Sequence, residues 1–343
     1  MLSSTLFGTV SLATVALSQT FTNPIRNPGA DPHIVTHEGY YYLTNTNGGS
    51  IAVTRSTTIG GLYEGETRTV YKETEEERSH DVWAPEMHLI DGIWHILYSA
   101  GNGDIPTGQR SFILQGCDQN PYDCEYAFLA ELTPEAGGQG GSDGNDPWSI
   151  DGTFLVIGGN YYHVVSGHNA DNVQSIMIAT LDTENWTVGP WSIISEPTEE
   201  WEMAEPVEGQ PAAVNEAPNP LYNSNRTWLS FSGSWCGTPT YALGLLEYDG
   251  SGDPLDIASW TKTGPVFSAA SENYSTAHNV FFSSPDGTEV WNAYHATTNP
   301  EGSCGGDRYT MAQIVTFDET GFPDLGEPVW GLTDIDVPSG DGS

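Results

Sequence analysis

The sequence predicts an all-β fold, a five-bladed β-propeller, from three observations. A two-strand module recurs five times along the 343 residues. Apolar residues come in short bursts bounded by Gly, Pro, Asn, Ser and Thr, with no heptads and no long helical periodicity. Each module also opens on a polar or ionisable residue, a regularity that blades around an axis account for and a sandwich does not.

The first module opens at Asp31-Pro32, runs as a strand over 33–35, turns at Glu38-Gly39 and returns through the aromatic run 40–43. The second reads Trp83-Ala84-Pro85-Glu86, with Glu86 leading a strand over 87–90, a turn at Asp91-Gly92 and a return over 93–98. Asp151-Gly152 opens the third, which runs over 153–157, turns at Gly159-Asn160 and returns over 161–165. The fourth opens at Glu208-Gly209, passes 211–214 and a longer connection, and returns over 227–231. His278 opens the fifth, followed by 279–282, the turn Asp286-Gly287 and a return over 289–294. Asp-Gly and related pairs mark hairpins because they accept positive φ and match the strand twist. A third strand follows each module, over 51–54, 112–114, 175–179, 243–246 and 311–315. If every innermost strand starts at the same face of the ring, Asp31, Glu86, Asp151, Glu208 and His278 converge on one central pocket.

A formal net charge of −37, from 46 acidic residues against 9 Lys plus Arg, repels phosphate backbones and anionic lipid headgroups. Nucleic acid and membrane partners are therefore not expected, whereas a neutral polysaccharide feels little of this field. The abundant Trp and Tyr suit stacking on sugar faces. Residues 1–18 carry no charged side chain, an apolar stretch over 12–17, and small residues Ala16 and Ser18 before Gln19. That pattern reads as a secretory signal peptide, leaving 19–343 as a single extracellular propeller domain acting as a monomer. Secretion makes disulfides the default for the four cysteines, which allow three pairings. Cys117 with Cys124 would close a small loop, and Cys236 with Cys304 would tie distant segments. Asn185, Asn225 and Asn273 begin glycosylation sequons.

Convergent carboxyls suffice for hydrolysis of a glycosidic bond, with no cofactor required. One protonates the leaving oxygen, a second activates water, and a third raises the pKa of the acid by like-charge repulsion. The segment NPGADPHIVTHEGYYYLTNT, with WAPEMHLIDGIWHILYSAG, WSIDGTFL and AHNVFFSSPDGTEVWNAYHA, resembles glycoside hydrolase family 43 across essentially the whole mature chain. The resemblance implies a five-bladed propeller, inversion of configuration, Asp31 as general base, Asp151 as the residue that tunes and orients the acid, and Glu208 as general acid. It further implies His278 near the axis, where a calcium ion or water can bind, Arg308 reaching the sugar pocket, and Trp83 as a wall of the glycone subsite. The family acid sits in Glu-Gly-Pro, whereas here the run is Glu208-Gly209-Gln210-Pro211; Glu205-Pro206 is the competing position. Glu208 is preferred because Gly follows directly and apolar residues begin at 212. Glu86 is assigned a structural role.

Within the family the motif order is similar to exo-acting arabinofuranosidases on 1,5-linked arabinan. Release of L-arabinofuranose is thus the expected activity. A β-xylosidase or arabinoxylan-debranching enzyme would keep the same acids, and a carbohydrate-binding propeller would use them only to hydrogen-bond sugar hydroxyls.

Overall fold

The computed structural model describes residues 19–203, 213–329 and 331–342, which form five β-sheets set as the blades of a propeller. Residues 1–18 and Glu208 lie outside the described residues. Each blade lays its first four strands in chain order from the axis outward, and the third adds one more strand on its flank. The innermost strands are His33–His37, His80–Ile90, Ser149–Ile157, Asn215–Asn223 and Tyr274–Ser283. Each lies against the innermost strand of the next blade, and the fifth against the first closes the ring.

The local chemistry explains the blades. Glu38-Gly39, Asp91-Gly92 and Gly158-Gly159 adopt positive φ at both turn positions, the geometry that joins two twisted strands without splaying them. The fourth blade departs from the expected segmentation. Its innermost strand is Asn215–Asn223, joined through Ser224-Asn225 to Arg226–Gly233. The stretch expected as a long connection is thus the inner strand itself. Pro218 and Pro220 hide its strand signal, yet an innermost strand has one unpaired edge where a missing N–H costs no ladder bond.

The apolar core is divided into layers between neighbouring blades. Met87, Trp94 and Tyr98 of the second blade pack on Tyr42, Ile51 and Val53 of the first. Phe154, Val165 and Met177 of the third pack on Leu97 and Ile113 of the second. Leu229, Phe231 and Leu246 meet Leu155, Val164 and Ile178 between the third and fourth. Similar layers join the fourth to the fifth and the fifth to the first. Because each interface buries aromatic and branched side chains, the blades are held in fixed rotation about the axis, and this fixes where their inner edges point.

The chain ends complete the ring. Asn23 clasps the third strand of the fifth blade, donating through Nδ2 to the Ala312 carbonyl and accepting the Ala312 N–H, both at 2.9 Å. Thr20–Phe21 pairs with Ile335–Asp336. Of the three possible cysteine pairings, the structure has Cys117–Cys124 and Cys236–Cys304. In the fourth blade Gly233, Gly244 and Gly264 form a groove for the Trp201 indole, whose ring atoms lie within 3 Å of where a Cβ on each would stand.

Candidate active site

Four of the five inner strands carry the same irregularity near their start, and the first blade has its counterpart just before its inner strand. The register skips across Ala84-Pro85, Asp151-Gly152, Ala217-Pro218 and His278-Asn279, and Asp31-Pro32 stands at the matching place before His33–His37. The first residue of each pair is left-handed: Asp31 φ 50°, Ala84 φ 44°, Asp151 φ 54°, Ala217 φ 52° and His278 φ 46°. Five non-glycine residues in that region mark a device repeated for a purpose, since each such conformation costs about 1 kcal/mol or more.

The device is held across blades. The Asp31 N–H donates to His295 Nδ1 of the fifth blade (3.2 Å), and the Ala84 N–H to Thr46 Oγ1 beside the first (2.8 Å). The Asp151 N–H donates to Ser99 Oγ of the second (3.1 Å), and the His278 N–H to Ser232 Oγ of the fourth (2.9 Å). The Ala217 N–H donates to the carboxylate of Asp151 itself. Each bulge is thereby locked to its predecessor, and the ring of leading residues is over-determined.

This alignment corrects the sequence reading in two places. The leading residue of the second blade is Ala84, and Glu86 sits two residues further along. There it accepts from His88 Nε2 (2.9 Å) and Asn219 Nδ2 (3.4 Å). In the fourth blade the leading residue is Ala217, and the ionisable group beside it is Glu216. The signal was present in the sequence: Glu216-Ala217-Pro218 keeps an uninterrupted Glu-x-Pro frame with Ala in the glycine position.

Asp31, Asp151, Glu216 and His278 come together at the axis. Asp31 Oδ1 accepts from Arg308 Nη1 at 2.7 Å and lies 3.3 Å from His278 Nδ1, which is also 3.9 Å from Asp151 Oδ2. His295 Nδ1 is 3.1 Å from the same Asp31 oxygen. Glu216 accepts from Gln174 Nε2 at 3.3 Å and from the Tyr241 hydroxyl. The three carboxyl residues are only 7–8 % exposed, so water does little to screen one from another.

Their neighbours set them apart. Burial pushes Asp31 up, but the Arg308 guanidinium, His278 and His295 outweigh it and hold its carboxyl well below the usual range. Burial raises Asp151, and the charges of Glu216, Asp31 and Glu86 raise it further, well above the ordinary carboxylate value. Burial also raises Glu216, which is pushed up to about 7 by the nearby Asp31 charge against the hydrogen bonds from Tyr241 and Gln174. Burial lowers His295 to about 4, and His278 moves in the same direction. One carboxyl that stays ionised therefore faces two whose burial and mutual repulsion favour the protonated form, the division that acid–base chemistry requires.

Trp83 immediately precedes Ala84, the same place in its blade that Glu216 holds in the fourth, and is half-buried. Trp235 covers Gly237, where a Cβ would stand 2.3 Å from its ring, so the small residue at 237 is what admits the indole. Calcium takes about six to eight oxygen ligands, waters included, so at His278 most of them would have to be water. Asp31, His278 and His295 offer two imidazoles and one carboxylate oxygen that Arg308 already engages. His33, Glu86 and His88 likewise offer mainly nitrogen.

Comparison with known proteins gives a consistent picture. Residues 21–323 match Glycosyl hydrolases family 43. An extracellular exo-α-(1→5)-L-arabinofuranosidase of Streptomyces avermitilis is 33 % identical over 94 % of this chain and 67 % of its own length. α-L-Arabinofuranosidase 43 of Humicola insolens is 32 % identical over 92 % of this chain and 65 % of its own, so the chain spans about two thirds of these relatives. The crystal structure of an α-L-arabinofuranosidase from Lactobacillus brevis superposes with a TM-score of 0.78 at 27 % identity, covering 91 % of this chain and 98 % of that one.

Proposed function

The chain belongs to glycosyl hydrolases family 43, and on that footing we propose that it is a secreted, inverting exo-α-L-arabinofuranosidase releasing arabinofuranose from 1,5-linked arabinan. Glycoside hydrolysis in this family runs on carboxyls and needs no cofactor. Support for arabinofuranosidase activity comes from the names of the relatives above, support for the 1,5-linkage and for secretion from the name of the Streptomyces avermitilis protein, and further support for secretion from two disulfides.

The observation that carries the mechanism is the convergence of Asp31, Asp151 and Glu216 in one buried cluster, with Arg308 Nη1 2.7 Å from Asp31 Oδ1. Asp31, ionised and paired with Arg308, is the general base: it takes a proton from the water that attacks the anomeric carbon. Glu216, protonated up to about pH 7, is the general acid: it delivers its proton to the glycosidic oxygen as the bond breaks. Attack from the face opposite the leaving group inverts the anomeric centre, and an inverting pair leaves about 6.5–9.5 Å between its carboxyls for that water. Asp151 orients Glu216, because its carboxyl holds the N–H of Ala217 next in the chain, while the charge that raises Glu216 is that of Asp31. Glu205 and Glu208 lie outside the described residues, and the acid role passes to Glu216 on its position in the ring.

Asp31→Asn tests the reading. Turnover on arabinan oligosaccharides falls to background while sugar binding by calorimetry persists; undiminished hydrolysis would end the proposal. Proton NMR of the first-formed product by wild type reports inversion, and retention would contradict the roles given. Arabinose alone as product from linear arabinan marks exo cleavage, and aryl arabinofuranoside against aryl xylopyranoside separates this activity from a xylosidase. A protein that releases no sugar from any of these substrates is a binding module.

A further inference from the structure

Arg308 is the strongest single partner of Asp31, and what holds Arg308 is a disulfide-bonded loop. Its guanidinium makes three hydrogen bonds: Nη1 to Asp31 Oδ1 (2.7 Å), Nη2 to the carbonyl of Cys304 (3.1 Å) and Nε to the carbonyl of Gly305 (3.2 Å). Two of the three acceptors therefore belong to the residues at the Cys304 end of the Cys236–Cys304 bond. Within the loop the Gly305 N–H donates to Ser303 Oγ (2.9 Å), Ser303 donates to Asp307, and Asp307 accepts from Thr297 Oγ1 (3.1 Å), whereas the disulfide is the covalent tie to the fourth blade. Gly305 and Gly306 follow directly, and Cys304, Gly305 and Gly306 are exposed. On the other side Cys236 belongs to the fourth blade, where its carbonyl accepts from Ser275 Oγ at 2.7 Å. Gly302 lies against the backbone of Thr238, where a Cβ would stand 2.5 Å away, so the two loops meet closely.

We infer that the Cys236–Cys304 disulfide is a positioning element of the active site: by fixing the carbonyls of Cys304 and Gly305 it aligns Arg308 on Asp31. The inference rests on the reading of Asp31 as the base. Breaking the cross-link frees a glycine-rich loop, lets the guanidinium wander, and weakens the ion pair that keeps Asp31 ionised in acid. Cys304 is exposed and Cys236 half-buried, so a reductant reaches the cystine from the Cys304 side and reduction has the same effect.

The test is the pH profile of kcat/KM for Cys236→Ala/Cys304→Ala, beside Cys117→Ala/Cys124→Ala as a cystine-removal control. Folding is checked by circular dichroism and thermal melting. The expected result is an acid limb displaced upward in the first variant only, with the alkaline limb unmoved. A displacement of one pH unit costs about tenfold in kcat/KM below the limb. Arg308→Met should displace the same limb, and adding it to the cysteine variant should displace it little further, since both act through one contact. A folded Cys236→Ala/Cys304→Ala enzyme with an unmoved acid limb overturns the inference. Asp31→Asn separates the two failures: if it abolishes turnover while the limb stays put, only the role of the disulfide falls, whereas if it retains turnover the base assignment itself falls.

Discussion

Replacing Glu216 with Gln removes the transferable proton while keeping size and hydrogen-bonding capacity toward Gln174 and Tyr241. A group titrating at about 7 is protonated in about 99 % of molecules at pH 5 and in about 1 % at pH 9. As pH rises through 7 the acid is lost, so wild-type kcat/KM on arabinan oligosaccharides should decline along that limb, while Asp31 remains ionised throughout. General acid catalysis is worth about 10²–10⁴-fold when the leaving group is a sugar alcohol, and far less when it is an acidic phenol that departs unaided. Glu216→Gln should therefore lose about that factor on arabinobiose, lose under about tenfold on p-nitrophenyl arabinofuranoside, and show no alkaline limb near 7. Both substrates are followed at pH 5, arabinose by coupled assay and phenolate by absorbance. Equal losses on the two substrates would refute the reasoning, as would the selective loss appearing in Glu208→Gln and not in Glu216→Gln.

Three further outcomes follow from packing and exposure. Lys262 Nζ sits 2.7 Å from the fully buried Glu202 carboxylate, so Lys262→Met strands a buried charge and should cost about 3–5 kcal/mol of stability by urea unfolding. Gly233→Ala places a methyl against the Trp201 ring, with atoms 2.3–2.9 Å away; expelling that indole should lower the thermal midpoint by several degrees, consistent with a loss of about 1–3 kcal/mol. Of the three sequons, Asn185 and Asn225 are exposed, whereas Asn273 is buried, donating to the carbonyls of Ser271 and Val329 and accepting from Tyr309. Mass spectrometry of protein from a glycosylating host should find glycans on Asn185 or Asn225 and none on Asn273.

The repeating architecture was legible because it is written locally. Hairpin turns such as Asp91-Gly92 announce themselves by the φ they tolerate, and bursts such as 311–315 by their β-branched and apolar content. Asp31, Asp151 and His278 were legible for the same reason, each standing first in its module. Glu86 and Glu208 were chosen by the same logic. The structure puts Ala84 and Ala217 at those leading positions: Glu86 lies two residues past the bulge position, and prolines mask the fourth inner strand. The protonation of the site was decided by the tertiary structure alone. Arg308 stands 277 residues from Asp31 in the chain and 2.7 Å from it in space. Glu216 and Asp151 come from different blades and share a poorly hydrated cluster. Turn and strand preferences act between neighbours in sequence, whereas charges act through distance and dielectric, which exist only once the ring has closed.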